Sequence, residues 1–262
     1  MHSAPDDALK EYRHALTATQ CRAPDDLERR MIEDLHRRDD IKDATADQVS
    51  AWEQLIWLAT GNLEVSWDPR LKTPTSIRTW QQFDGAAADA MSALDRELMP
   101  IIKRMLSFDP ARDSITRAPT ESSPMIGFPG SATGGTSHRF RCKRLHDGLP
   151  VVGAFLNIVV VPSPLRSGSW MASVSANWPR DLPDARTPPA IAAEKAEALA
   201  VASDPGSSST LERNARLVIA ARHLPPRLVY EVEIRDDAGD PWLVLVDAAT
   251  GVIVSRSIQV RQ

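Results

Sequence analysis

Residues 228–254 constrain this chain more than any other stretch. Leu228 to Ile234 reads Leu-Val-Tyr-Glu-Val-Glu-Ile, a polar turn follows from Arg235 to Asp240, and a second apolar run, Trp242 to Val246, leads into Asp247-Ala-Ala-Thr-Gly251. Alternation at period two marks a half-buried strand, so two strands face each other across the turn. At the far end Asp247 can accept hydrogen bonds from the backbone of a tight turn. Gly251 supplies the positive φ that lets the chain reverse into a third strand. Such a corner is a structural device and performs no chemistry.

The opening sixty residues are helical in pattern. Leu9, Tyr12 and Leu16 share a face over residues 5–19, and Leu27, Met31, Ile32 and Leu35 share one over 25–38, with Asp25 and Asp26 at its start and Arg37 and Arg38 at its end. A third helix is predicted from Asp47 through Trp52 and Leu55 to a stop at Gly61. This segment reads as a helical cap, with a docking segment as the alternative. Residues 62–68 alternate as a short strand ending at Trp67-Asp68-Pro69, and a long helix is predicted from an Asp84 N-cap to Met105. Pro100 should kink or split that helix, and Met91, Met99 and Met105 read as core.

Residues 117–137 are rich in Pro, Gly, Ser and Thr and are predicted to form an extended loop. Its Gly130–Thr136 piece lacks the lysine of a phosphate loop. Strands follow at 138–146 and 151–161, joined by a Gly148-Leu149-Pro150 turn, and at 170–178. Arg139, Arg141, Lys143 and Arg144 read as the solvent face of the first of these. A Pro-rich linker over 179–189, a helix over 190–202 and a Gly/Ser-rich connection over 203–210 complete the chain up to its terminal strands. Helices first and antiparallel strands afterwards give an α+β class.

Tyr230-x-Val232-x-Ile234, then Trp242-x-Val244-x-Val246-Asp247-Ala248-x-Thr250-Gly251, resembles the PepSY domain of thermolysin-like and fungalysin-like metallopeptidase propeptides. Upstream, Trp67-Asp68-Pro69, Thr73-Pro-Thr-Ser-Ile77, the helical run 86–106, Arg139-Phe140 and Gly148-Leu-Pro-Val-Val-Gly153-Ala-Phe-Leu156 follow in order the fungalysin/thermolysin propeptide (FTP) domain. The helical pattern sets off an N-terminal segment (1–60) that matches no family; the resemblance implies an FTP-like domain (61–182) and a PepSY-like domain (188–262), each a helix on a curved antiparallel sheet. Its signature residues here are Arg139, Phe140, Gly148, Pro150, Gly153, Asp247 and Gly251, in structural roles. It implies a metallopeptidase catalytic domain as partner, bound as inhibitor and folding chaperone; the alternative is a scaffold protein that keeps the fold without a protease. The strand before Gly148 departs from the family, which commonly carries Gln there, by reading Arg141-Cys-Lys-Arg-Leu-His146.

No enzyme is expected. His-Glu-x-x-His and Gly-x-Ser-x-Gly are both absent, and the six histidines fall in no metal-binding spacing, so no catalytic, metal or cofactor residue is assigned. A net charge of −4 gives no reason to expect nucleic acid as a partner, and no apolar run is long enough for membrane insertion. The amino terminus lacks the pattern of a secretory signal, although the resembled family is usually exported, and the compartment is left open. Cys21 and Cys142 are expected to be unpaired thiols, with Cys142 between Arg141 and Lys143 open to a lowered pKa.

Overall fold

The computed structural model describes residues 26–82, 94–124, 136–162, 169–203, 215–222, 224–236 and 238–258. The expected helix over 5–19, Asp84 and Met91 of the long helix, the Gly130–Gly135 run, Cys21 and all but the first residue of the 203–210 connection lie outside them. Two compact units make up the chain, Met1–Asp39 and Asp40–Gln262. The first holds helix α1 (Asp26–His36), where the sequence places it.

In the second unit, α2 (Ala46–Leu58) begins with a capping box. Thr45 Oγ1 accepts from the Gln48 backbone, and Gln48 Oε1 accepts from the Thr45 backbone. The Gln48 amide is buried and donates to the carbonyls of Lys72 and Met105, both at 2.9 Å, which ties α2 to two other segments. The helix ends at Leu58 rather than at Gly61, because the chain passes directly into β1 (Ala59–Asp68), paired with β2 (Thr73–Gln82). Strand pairing overrides the stop signal that glycine gives. Trp52 stacks on Trp67, with ring centroids 6.3 Å apart, and fastens α2 to β1. A π-turn at Leu94–Leu98 leads into α3 (Met99–Met105), with Pro100 in the first turn, where its missing N–H costs nothing. Leu94, Leu98, Met99, Ile101, Ile102 and Met105 are buried, so Met99 and Met105 of the expected helix are core.

The strands follow as β3 (Asp113–Arg117), β4 (Glu121–Pro124), β5 (Thr136–His146), β6 (Leu149–Pro162), β7 (Ser169–Asn177), β8 (Arg216–Ala220), β9 (Arg227–Arg235), β10 (Pro241–Asp247) and β11 (Ile253–Ile258). Among the described residues they form one hydrogen-bonded sheet in the order β1-β2-β7-β6-β8-β9-β10-β11, with β5 on β6 and with β3 and β4 both on β5. The expected loop over 117–137 is therefore partly strand. Ser122 and Ser123 have weak strand propensity, but they lie along β5 in a short strand that ends at Pro124. The β5–β6 turn falls on Asp147 (φ 48°) and Gly148 (φ 81°), both left-handed, with His146 paired to Leu149. This is the two-residue Asp-Gly hairpin, so Pro150 lies in the strand opposite Leu145 rather than in the turn.

A parallel pair, Val151↔Ile219 and Val152↔Ala220, joins the β1–β7 part of the sheet to its β8–β11 part. The stretch 179–189 is not a free spacer. Its Leu182 and Ala185 pack against Val151, Ala154, Ile219 and Ala221, which come from both parts of the sheet. Beyond it α4 (Ala193–Ala202) lays Ala196 and Ala200 on β9 and β10, in a core with Ile191, Tyr230, Val232, Ile234, Val244 and Val246. The result is a sheet-dominated mixture of helix and strand.

Candidate functional site

Side chains alternate between the two faces of a strand, and the register of β1, β2 and β7–β4 sorts them. Phe140, Cys142, Leu156, Ile158, Val160, Ala172, Val174 and Ile77 are buried on the inner face. On the outer face the register lines up two rows. One runs Glu64, Arg78, Ser173, Val159, Arg139, Glu121; the other runs Ser66, Ser76, Ser175, Asn157, Arg141. Serines occupy the middle strands and long arginines the flanks, so the face dips. Arg139, Arg141, Asn157, Val159 and Ser175 line an open hollow of about 280 Å3. Lys143 continues the basic line opposite Phe155, which is 39% exposed.

Arg144 leaves this face. It follows the parity of Phe140 and Cys142 into the interior, where its side chain is 2% exposed, which corrects its expected place on the solvent side. Its guanidinium grips Asp113 with two hydrogen bonds of 2.8 Å, donates to the Pro179 carbonyl at 2.7 Å, and stacks 4.7 Å from the Trp178 ring centre. Burial alone would raise the Asp113 pKa. The Arg144 hydrogen bonds and charge outweigh it and hold the carboxyl below its usual value. His146 Nδ1 lies 2.8 Å from Asp113 Oδ1, so an ionised Asp113 selects the Nδ1–H tautomer. His146 Nε2 is shut off from solvent with no hydrogen-bond partner among the described residues, 3.8 Å from Asp147 Oδ2. An Asp–His pair so enclosed, with no hydroxyl or thiol bonded to Nε2, has the parts of a catalytic dyad without a substrate-facing side. Arg112 closes the cluster through Asp147, at 2.6 Å, and Asp184, at 3.2 Å.

Cys142 is buried and unpaired, and desolvation pushes its thiol pKa up, against the partial counter-effect of Arg117. The lowered pKa expected from its neighbours in sequence fails because Arg141 and Lys143 point to the other face. Among the described residues no group of three or more His, Cys, Asp or Glu side chains converges as metal ligands would.

The remaining signature residues sit at turns and close approaches. Asp247 Oδ1 accepts from the backbone of Ala249 (3.0 Å) and Thr250 (2.9 Å), and Gly251 has φ 77°. A Cβ on Gly251 would come within 3.0 Å of Leu199 in α4, so the corner is also a packing surface. The Ala248 carbonyl accepts from Ala190 and Ile191 just ahead of α4. Asp247→Ala is expected to lower unfolding free energy by about 1–3 kcal/mol, because two turn amides lose their acceptor. Urea unfolding at neutral pH checks it, and a loss within error of zero would show that the turn holds without the carboxylate. Gly153 has φ 91° and faces Arg222, just beyond β8. Arg139 and Phe140 fall on opposite faces of β5, one exposed and one buried. Structure thus gathers Arg139 with Arg141 in the hollow and leaves Asp247 and Gly251 at a separate corner. The residues that sequence reasoning missed are Asp113, Arg144 and His146. Counting in twos from Phe140 along β5 would have placed the last two inside.

Residues 190–256 match the PepSY family model, described as "Peptidase propeptide and YPEB domain". No curated protein matches the chain. Among solved structures, the Bacillus megaterium YpeB C-terminal domain is 16% identical over 83% of this chain and 99% of its own, with a TM-score of 0.33. The YpmB protein from Bacillus subtilis is 16% identical over 68% of this chain and 100% of its own, with a TM-score of 0.22. Scores this low do not equate the folds. The family match covers α4, β8 to β10 and the first four residues of β11, together with the Asp247–Gly251 corner, and residues 190–256 are accordingly a PepSY domain.

Proposed function

We propose that this chain is a non-catalytic, propeptide-like module, with an FTP-like domain over 61–182 beside its PepSY domain, that binds a thermolysin- or fungalysin-type zinc metallopeptidase as inhibitor and folding chaperone. The observation that carries this reading is the PepSY match, since that family is described by its place in peptidase propeptides. The open, dipped outer face of β5, β6 and β7 supports it by offering a surface that α2, α3 and α4 leave uncovered among the described residues. Inhibition would be steric, and chaperoning would follow by mass action, because a partner that binds the native peptidase and not its unfolded chain stabilises the former.

The test is to refold a denatured thermolysin-type peptidase with and without this chain, and to titrate the native enzyme with it. Recovered activity should rise in the first experiment and turnover of a peptide substrate should fall in the second. If the chain alters neither over a large molar excess, the reading is wrong.

A further inference from the structure

We infer that the outer face of β5 and β6 is a docking surface for an extended, acidic protein segment carrying carboxylates at every second residue. It rests on the reading above only for which protein bears the segment. Arg139, Arg141 and Lys143 project from one face of one strand at alternate positions, about 6.7 Å apart. An extended peptide repeats its side chains at the same interval, so Asp or Glu at i, i+2 and i+4 meets all three cations in register.

The basic side chains around them are otherwise engaged. Arg144 is consumed by Asp113, Arg112 by Asp147, and Arg117 by a fork onto Asp95 at 2.6 and 3.0 Å. Among the described residues Arg139 and Lys143 have no ion-pair partner, and Arg141 has Glu121 at 3.7 Å, both side chains more than half exposed. Such an exposed pair contributes little and yields readily to a better acceptor.

The hollow beside the line suits a peptide. Asn157 and Ser175 offer side-chain donors and acceptors to its backbone, Val159 gives an apolar floor, and the half-exposed ring of Phe155 lies opposite Lys143 for a side chain at that end. The patch is positive on a chain whose net charge is −4, so its attraction for acid is local to these strands.

The experiment measures anisotropy of a labelled, end-blocked octapeptide with Asp at alternate positions, against the same composition with its acids in one block, using the full chain. Alternating peptide should bind more tightly than blocked peptide, and binding should weaken as salt is raised. Arg139→Ser/Arg141→Ser should lose roughly tenfold or more in affinity while its thermal midpoint stays within error of the parent. Equal affinity for the two peptides, unchanged binding by the double variant, or tighter binding of single-stranded DNA than of either peptide would each overturn the proposal. The same double variant separates it from the proposed function. If it loses the peptide yet still inhibits the peptidase, this face is not the peptidase contact and the inhibitor reading stands. If the parent binds the peptide but neither inhibits nor refolds a peptidase, the inhibitor reading falls and the docking surface stands.

Discussion

Arg144→Leu is expected to lower the unfolding free energy by about 3–5 kcal/mol at neutral pH, because it strands a buried carboxylate. Asp113 is fully enclosed and loses both 2.8 Å hydrogen bonds and the charge that offset its desolvation. What remains to it is His146 Nδ1 and the Asp109 amide at 3.0 Å. Leucine also surrenders the contact with the Trp178 ring and the hydrogen bond to Pro179. The dependence on pH gives the result a signature. In the parent, the folded Asp113 pKa lies below its unfolded value, so its contribution is present above about pH 4 and is lost as pH falls through the depressed folded value. In the variant, burial acts on Asp113 without Arg144, and acid relieves the buried charge. The gap between parent and variant is therefore widest near neutrality and narrows towards about pH 4. Urea unfolding at both pH values tests this, and a neutral-pH loss under about 1 kcal/mol would mean that water or a neighbouring side chain takes over from Arg144.

Gly153→Ala is the second large effect. Forcing a side chain into left-handed backbone costs about 1–3 kcal/mol, and overpacking adds about 1–3 kcal/mol more. Its Cβ would sit 2.9 Å from the Arg222 backbone nitrogen and closer still to Arg222 Cγ. The Arg222 side chain can swing aside, but the backbone cannot without moving the chain next to Ala221, whose amide bonds Val152 at 2.8 Å. Gly148→Ala is the internal control. Its φ of 81° is similar and nothing lies within 4 Å of the added carbon, so it carries only the backbone cost. Comparable losses for the two variants in thermal or urea unfolding would show that the strands part easily at Arg222.

Much of the sheet was legible because period two is a local property. Strands β5, β6, β7, β9 and β10 and the Asp247 turn announce themselves in a few consecutive residues, and Pro100 marks the start of α3. What escaped notice depends on residues distant in sequence. Nothing near Arg144 says that Asp113 and Trp178 will enclose it, and nothing near Gly153 points to Arg222. Ser122 and Ser123 become strand because β5 lies beside them, and Gly61 fails to stop a helix that has already passed into paired strand. The five residues of β8 are too short to show a period, although they complete the PepSY sheet. The candidate docking face was half visible: the basic line could be read from spacing, whereas the floor of Asn157, Val159 and Ser175 is supplied by β6 and β7.

The parallel seam between β6 and β8 bears on the order in which the molecule assembles. Hairpins β9–β10 and β10–β11 join neighbours in the chain and can close as soon as they leave the ribosome. The Val151↔Ile219 and Val152↔Ala220 pairs must instead bridge a long intervening loop whose closure entropy is met late. Until then β8 has one bare edge, a template on which another nascent copy could pair. The PepSY domain is thus contiguous in sequence but takes a neighbouring strand from outside its family boundary, and that edge of β8 is covered only where β6 pairs with it.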